Sequence, residues 1–160
     1  MKTDTMGGYS NYELWMLFNQ ASYVAIRSRE RELGKLRIAR MHAAVLFILK
    51  TAKVPVTPAE ISRWLFRAPH TASTLVDRMA KKGLVTKRRD LEKKNLVRVE
   101  ITKKGEEAYQ RVMEIRSVDD IFAGLTKRER ESLRKILQKL RDRSLVQLGL
   151  SLEVPYPPRK

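Results

Sequence analysis

Apolar residues recur along this chain at two different spacings, and the change of spacing divides it. Over residues 11–33, Leu14, Leu17, Phe18, Ala21, Val24 and Ala25 fall three or four positions apart, the period of an amphipathic helix. Gly34 marks the expected end of that helix. A second helix, residues 38–52, is apolar on nearly every side between Ala43 and Leu49, which predicts a central, buried place. Lys50 and Lys53 suit its C-terminal end, and Pro55 closes the segment.

Thr57-Pro58-Ala59-Glu60 opens a short helix. Thr57 accepts from first-turn amides, Pro58 fits the first helical position and Glu60 completes a capping box. Ile61, Trp64 and Leu65 share one face, and the chain turns at Phe66-Arg67-Ala68. Pro69 starts another helix, residues 69–82, with Ala72, Leu75, Val76 and Met79 on one side. Its other side carries His70, Thr71, Ser73, Thr74, Asp77, Arg78 and Lys81, and Gly83 ends it.

From Leu84 the period becomes two. Residues 84–89 and 96–101 read as a hairpin, with Val97, Val99 and Ile101 alternating with Arg98 and Glu100. Thr102 caps a helix expected over residues 103–122. Thr126-Lys127-Arg128-Glu129 is a second capping box, opening a last helix with the stripe Leu133, Ile136, Leu137, Leu140. Residues 151–160 read as an extended tail.

Charge sharpens this picture. Thirty-four Lys and Arg against eighteen Asp and Glu give a net charge of +16 on 160 residues. Between Arg78 and Lys104 eleven basic residues face three acidic ones, so the end of the polar-faced helix and the hairpin hold half of that excess. A folded chain this basic meets a polyanion. No apolar segment follows Met1-Lys2, and the longest wholly apolar run, Ala43 to Leu49, is far short of the ~18 residues of a membrane span. With no cysteine there is no disulfide framework, thiolate metal site or thiol redox sensor. A cytoplasmic location without membrane association is the expectation. His42 and His70 are the only histidines, and no phosphate loop, metal-ligand spacing or nucleophile elbow is present. Neither catalytic nor metal-binding residues are assigned, and no cofactor is expected.

A capped helix, a turn, a polar-faced helix, a glycine and a basic hairpin in immediate succession describe a winged helix-turn-helix, in a mainly α (α+β) chain with a two-stranded β wing. A helix enters the DNA major groove when one face packs on the protein and the other offers short polar groups and guanidinium forks to base edges. Pro69, His70, Thr71, Ser73, Thr74, Arg78 and Lys81 form that set on the helix, and Lys87, Arg88, Lys93, Lys94 and Arg98 extend it along the wing. A Lys-rich wing tip crosses the backbone toward the minor groove. The other reading is a winged helix used for protein contact or as an architectural module, without sequence-specific DNA binding.

The stretch Gly83-Leu84-Val85-Thr86-Lys87-Arg88-Arg89-Asp90, followed by Leu96-Val97-Arg98-Val99-Glu100-Ile101-Thr102-Lys103-Lys104-Gly105, resembles the wing of the multiple-antibiotic-resistance regulator (MarR) family. Thr71 to Met79 is similar to that family's recognition helix. The resemblance spans about residues 10–148 and is most specific from 57 to 105. It implies a prokaryotic homodimer with interlocked N- and C-terminal helices and two winged lobes on successive major grooves. It also implies repression of nearby genes from an inverted-repeat operator in double-stranded DNA, with release by a small aromatic or acidic ligand. Such effectors often bind by the first two helices, where Trp15, Tyr23, His42 and Phe47 are the candidate ligand residues.

Three departures from the family pattern stand out. Lys93-Lys94-Asn95 replaces an acid-Arg-Arg cluster, which removes an internal salt bridge of the wing and makes its tip more basic. Phe66-Arg67-Ala68 occupies a turn where glycine and a capping Ser or Asp are usual. The lack of cysteine excludes the peroxide-sensing branch.

The domain organisation expected from these readings is an N-terminal helix at 1–36 forming part of the dimerisation region, a DNA-binding domain at 37–104, C-terminal dimerisation helices at 105–150 and a tail at 151–160. The apolar stripes at both ends, Leu14, Trp15, Leu17 and Phe18 with Leu133, Ile136, Leu137, Leu140, Leu145, Val146 and Leu148, exceed what a small winged core can cover, which supports a symmetric dimer.

Overall fold

The protein is described by a computed structural model over residues 10–52, 55–89 and 96–151. Among these residues the element order is α1 (Asn11–Lys35), α2 (Arg40–Thr51), α3 (Pro58–Leu65), α4 (Pro69–Lys81), β1 (Val85–Arg89), β2 (Val97–Ile101), α5 (Lys103–Glu114), α6 (Ser117–Ala123) and α7 (Lys127–Gln147). Helices dominate, and β1 pairs antiparallel with β2 in the register Val85 to Ile101 through Arg89 to Val97. Val56, between α2 and α3, adds a single bridge to the outer side of β2, where the Val99 amide donates to its carbonyl at 2.8 Å. The arrangement is a winged helix with a two-stranded wing.

The continuous apolar run of α2 places it at the centre. Val45 and Leu46 are fully enclosed, and Ile61 of α3, Val76 and Met79 of α4, Val85 and Val99 of the wing, and Ala108 and Val112 of α5 close around them. Burying several such side chains at ~1.5–3 kcal/mol each is what holds α3 and α4 at a fixed angle to the wing.

Helix starts follow the sequence closely. Thr57 and Glu60 form the capping box of α3 and Thr126 and Glu129 that of α7, while Ser10 and Glu13 form a third on α1. Thr102 caps α5 by accepting from the Gly105 amide at 3.0 Å and donates its own hydroxyl to the Gly83 carbonyl at 2.6 Å.

Helix ends differ from expectation in two places. Helix α1 runs through Gly34, and the reversal falls on Arg37, which takes the left-handed conformation at φ 56° while the Ile38 amide donates back to the Leu33 carbonyl. The helix expected over 103–122 is broken. Ile115 is extended, and the freed carbonyls of Val112 and Ile115 accept from the Arg29 guanidinium at 2.9 and 3.2 Å. An arginine from α1 therefore satisfies the orphan acceptors that a helix C-terminus leaves, and α6 starts two residues later.

Leu14, Trp15, Leu17 and Phe18 on α1 stand exposed, as do Ile136, Leu137, Leu140 and Val146 on α7 and Leu148 at its C-cap. No described helix is long and apolar enough to cross a membrane.

Candidate nucleic-acid interface

Helix α4 divides its residues as the periodicity demands. Ala72, Val76 and Met79 are buried, while Pro69, His70, Thr71, Ser73, Thr74, Arg78 and Lys81 all lie on the exposed side. The exposed set runs unbroken along the helix, so one face presents hydroxyls, an imidazole, a guanidinium and an ammonium together. Thr74 donates to the His70 carbonyl at 2.9 Å, and the Thr71 hydroxyl lies 3.3 Å from His70 Nε2. A hydroxyl hydrogen rotates freely, so neither local bond fixes these groups in one orientation.

The turn that aims α4 is built without glycine. Phe66 itself takes the left-handed conformation at φ 50°, an arrangement that costs a non-glycine residue about 1–2 kcal/mol. Buried Ser62 offsets that cost: its hydroxyl donates to the Arg67 carbonyl at 2.7 Å, and the Arg67 amide donates to the Ser62 carbonyl at 3.0 Å. Ala68 provides no side-chain cap for α4, and Pro69 occupies its first turn. Pro69 has no N–H to satisfy, and the Thr71 and Ala72 amides both donate to the Ala68 carbonyl, at 3.0 and 3.1 Å.

A shallow recess beside α4 is lined by Met41, Arg67, His70, Thr71, Thr74 and Arg78. Arg67 is exposed here and was not among the residues singled out from sequence. Its signal was its place in the turn immediately before the polar-faced helix.

The wing strands carry their cations in pairs. Lys87 Nζ bonds Asp77 of α4, and Arg88 Nε lies 3.0 Å from Glu100 of β2. Arg98 is half-buried on β2, directly across from Arg88. Lys93 and Lys94 lie outside the described residues. At the wing base, Lys104 Nζ donates to the Lys82 carbonyl at 2.9 Å, covering the C-terminus of α4.

His42 is buried on α2, and burial, together with the positive charges of Lys82 and Arg78, holds its imidazole below the ordinary histidine range. A neutral core histidine beneath α4 fits this setting.

A second feature lies on the opposite side of α2. A cavity of about 460 Å³ opens between α1, α2, α3, α5 and α6, with walls that include Leu33, Phe47, Ile48, Leu65, Val112 and Val118. Arg29, Arg40, Asp119 and Trp64 are its polar members. Of the four ligand candidates read from sequence, this cavity brings in Phe47 alone. Trp15 and Tyr23 project from exposed turns of α1 and His42 faces α4, so the four do not converge. Arg29 was missed, although it stands at the apolar phase of α1, four residues after Ala25 and four before Leu33. Among the described residues no cluster of His, Asp or Glu is arranged to hold a metal ion.

Comparison with known proteins agrees with this geometry. The family model described as MarR family matches residues 38–94. The ligand-free organohalide-sensing transcriptional regulator RdhR-CbdbA1625 is 28% identical, covers 97% of both chains and superposes with a TM-score of 0.74. Its 2,4-dichlorophenol-bound form is 31% identical over 88% of both chains, with a TM-score of 0.71. A mutant MarR from E. coli in complex with operator DNA shares the fold at 22% identity, 80% of this chain, 93% of that one and a TM-score of 0.71. No curated protein sequence matches the chain.

Proposed function

Because the chain belongs to the MarR family of DNA-binding transcriptional regulators, we propose that it reads an inverted-repeat operator in double-stranded DNA as a homodimer and represses genes near that operator. The family's members regulate transcription and are not enzymes. The observation that carries the reading is the division of α4, with Ala72, Val76 and Met79 in the core and His70, Thr71, Ser73, Thr74, Arg78 and Lys81 outside.

In this reading Arg78 forks onto a guanine edge, the hydroxyls and His70 read neighbouring bases, and Lys81 with the wing cations engages phosphates. Lys87 and Arg88 contribute once their pairs with Asp77 and Glu100 open. Exposed ion pairs of this kind are held by no more than about 1 kcal/mol, so phosphate competes easily. Residues 37–104 form the DNA-binding unit. The stripes of α1 and α7 supply the dimer contact, since contiguous exposed apolar faces of this size mark an interface.

Release by a small molecule is the second part of the proposal. The cavity walled by Leu33, Phe47, Val112 and Trp64 has the size and apolar character of a ligand site, and Trp64 and Leu65 belong to α3, the first helix of the helix-turn-helix. A similar protein was crystallised with 2,4-dichlorophenol, which supports a small aromatic effector here.

The test is a binding titration on duplexes selected from a random pool. Selected DNA should bind at least ~10³-fold more tightly than a scrambled duplex, and Arg78→Ala should cost about 1–3 kcal/mol on it. Equal affinity for both duplexes would instead identify an architectural module, and no affinity for either a protein-contact module.

A further inference from the structure

Helix α7 carries eight basic residues against three acidic ones, a larger excess than on any other described helix. Two of the acids are already engaged: Glu129 closes the capping box with Thr126, and Asp142 pairs with Arg141 at 3.0 Å. Arg130 is engaged as well, donating to the Leu125 carbonyl at 3.0 Å. Arg128, Lys135, Lys139 and Arg143 are different. All four are exposed, and among the described residues none has an ion pair or a hydrogen-bond partner. The wing cations Lys87 and Arg88, by contrast, are paired.

At 3.6 residues per turn the four fall in a line along one side of α7, about 22 Å from first to last. The apolar stripe of Leu133, Ile136, Leu137 and Leu140 lies on another side. Lys135, Lys139 and Arg143 stand one turn apart, where like charges destabilise a helix, and Arg128 opposes the helix dipole in the first turn. Local stability disfavours this arrangement, and an anionic partner relieves it. The ridge also lies outside the winged unit. Helix α4 packs on α2, α3 and β1, while α7 lies against α6 across a hollow walled by Asp119, Phe122, Leu133 and Leu137.

The make-up of the ridge selects among polyanions. An acidic protein surface needs an apolar or aromatic anchor at the centre of its contact, and between Arg128 and Arg143 this side of the helix offers only Ser132. A membrane surface needs an apolar face to insert beside the cations, and the stripe of α7 is committed to the dimer contact. A DNA backbone needs neither, because one strand presents a phosphate every ~3.4 Å of axis, or about six along the ridge.

We infer that the ridge of Arg128, Lys135, Lys139 and Arg143 is a second, sequence-independent DNA surface, which takes the phosphate backbone of a duplex separate from the one that α4 reads. A dimer carries two such ridges, so an operator-bound dimer bridges to another DNA segment. The inference rests on the operator reading for the first duplex and adds the second.

The test holds the selected operator on beads, saturates it with full-length protein, washes, and adds a labelled scrambled duplex across a salt series. The operator-bound wild type should capture that duplex. The triple variant Lys135→Gln, Lys139→Gln, Arg143→Gln should capture it at least ~10-fold more weakly, with a salt slope lower by up to ~2.7, the value for three phosphate contacts. Its operator affinity should stay within about threefold of wild type, which also reports an intact fold. Arg27→Gln, Arg111→Gln, Arg116→Gln removes the same charge off the ridge and should capture like wild type. No capture by wild type with operator binding intact would overturn the second surface and leave the operator reading standing. Equal loss in both triple variants would replace the ridge by net charge as the cause. Ridge-dependent binding to phosphatidylglycerol vesicles or to poly-glutamate, without capture of duplex, would overturn DNA as the partner.

Discussion

The first turn of α5 lies so close to the end of α4 that a methyl group on Gly105 would stand 2.0 Å from the carbonyl oxygen of Leu84. The obstacle is backbone, and that backbone is fixed: Leu84 N–H closes the end of α4 on the Met79 carbonyl, and the Leu84 carbonyl accepts from the Thr102 amide at 3.2 Å. Thr102 and Gly105 thus act together, one capping α5 and tying it to Gly83, the other allowing the approach. Gly105→Ala should destabilise the protein by about 1–3 kcal/mol or more, seen as a lower urea midpoint at unchanged slope.

Asp77 of α4 holds Lys87 of the wing, and both side chains are about half exposed. Removing the carboxylate charge should cost little stability, under about 1 kcal/mol, because exposed pairs contribute little. Operator binding should gain, since Lys87 is released toward phosphate and a repelling charge is lost. For Asp77→Asn the slope of log K against log salt should steepen by up to ~0.9, the value for one additional phosphate contact. A salt titration in parallel with wild type measures it.

The pH dependence of stability should carry the signature of His42. Its pKa in the folded protein lies below the ordinary value of 6.5, so between the two values the unfolded chain binds the proton that the folded one does not. Stability is then fully present above pH ~6.5 and falls as pH drops toward and through the depressed folded value. Glu13 and Glu129 have lowered pKa values through their caps and act in the same direction, but in the carboxylate range at lower pH. His42→Gln should flatten the fall of unfolding free energy that begins below pH ~6.5 and leave the carboxylate limb unchanged.

Much of this fold is written locally, and the parts that are not depend on distant partners. Thr57 and Glu60, Thr126 and Glu129, and the alternation of Val97, Val99 and Ile101 need only neighbours, so each element appears where the spacing puts it. The break at Ile115 could not be read from residues 103–122, because Arg29, far away in sequence, supplies the donors that make it tolerable. The turn at Phe66 is similar: its left-handed backbone runs against local preference and is held by Ser62 from inside the core. On α4 and the wing, exposure of the polar set followed from periodicity, whereas the pairing of Lys87 and Arg88 required the fold. The ligand candidates diverge most. Trp15, Tyr23, His42 and Phe47 were chosen as aromatic or heteroaromatic, but helical phase sends them in different directions, and the cavity instead gathers Arg29 and Trp64.

The dimer proposal makes a separate prediction. Leu140 of α7 is exposed in the single chain, so Leu140→Glu should leave the winged core folded. It places a charge in the stripe with Ile136 and Leu137 and should yield monomers by sedimentation at micromolar concentration. Operator affinity should fall ~10²-fold or more, because two tethered half-site contacts become one. Unchanged sedimentation and affinity would place the interface elsewhere.

The central claim joins α4, the wing and the symmetric dimer in one DNA complex, and hydroxyl-radical footprinting of the full-length protein on its selected operator addresses all three. Two protected patches, centred about 10–11 base pairs apart or a whole multiple of that and related by an inverted repeat, are the predicted result. Arg78→Ala should weaken both patches equally. A single protected patch would contradict the dimeric account, and uniform protection that persists on scrambled DNA would contradict sequence-specific recognition by α4.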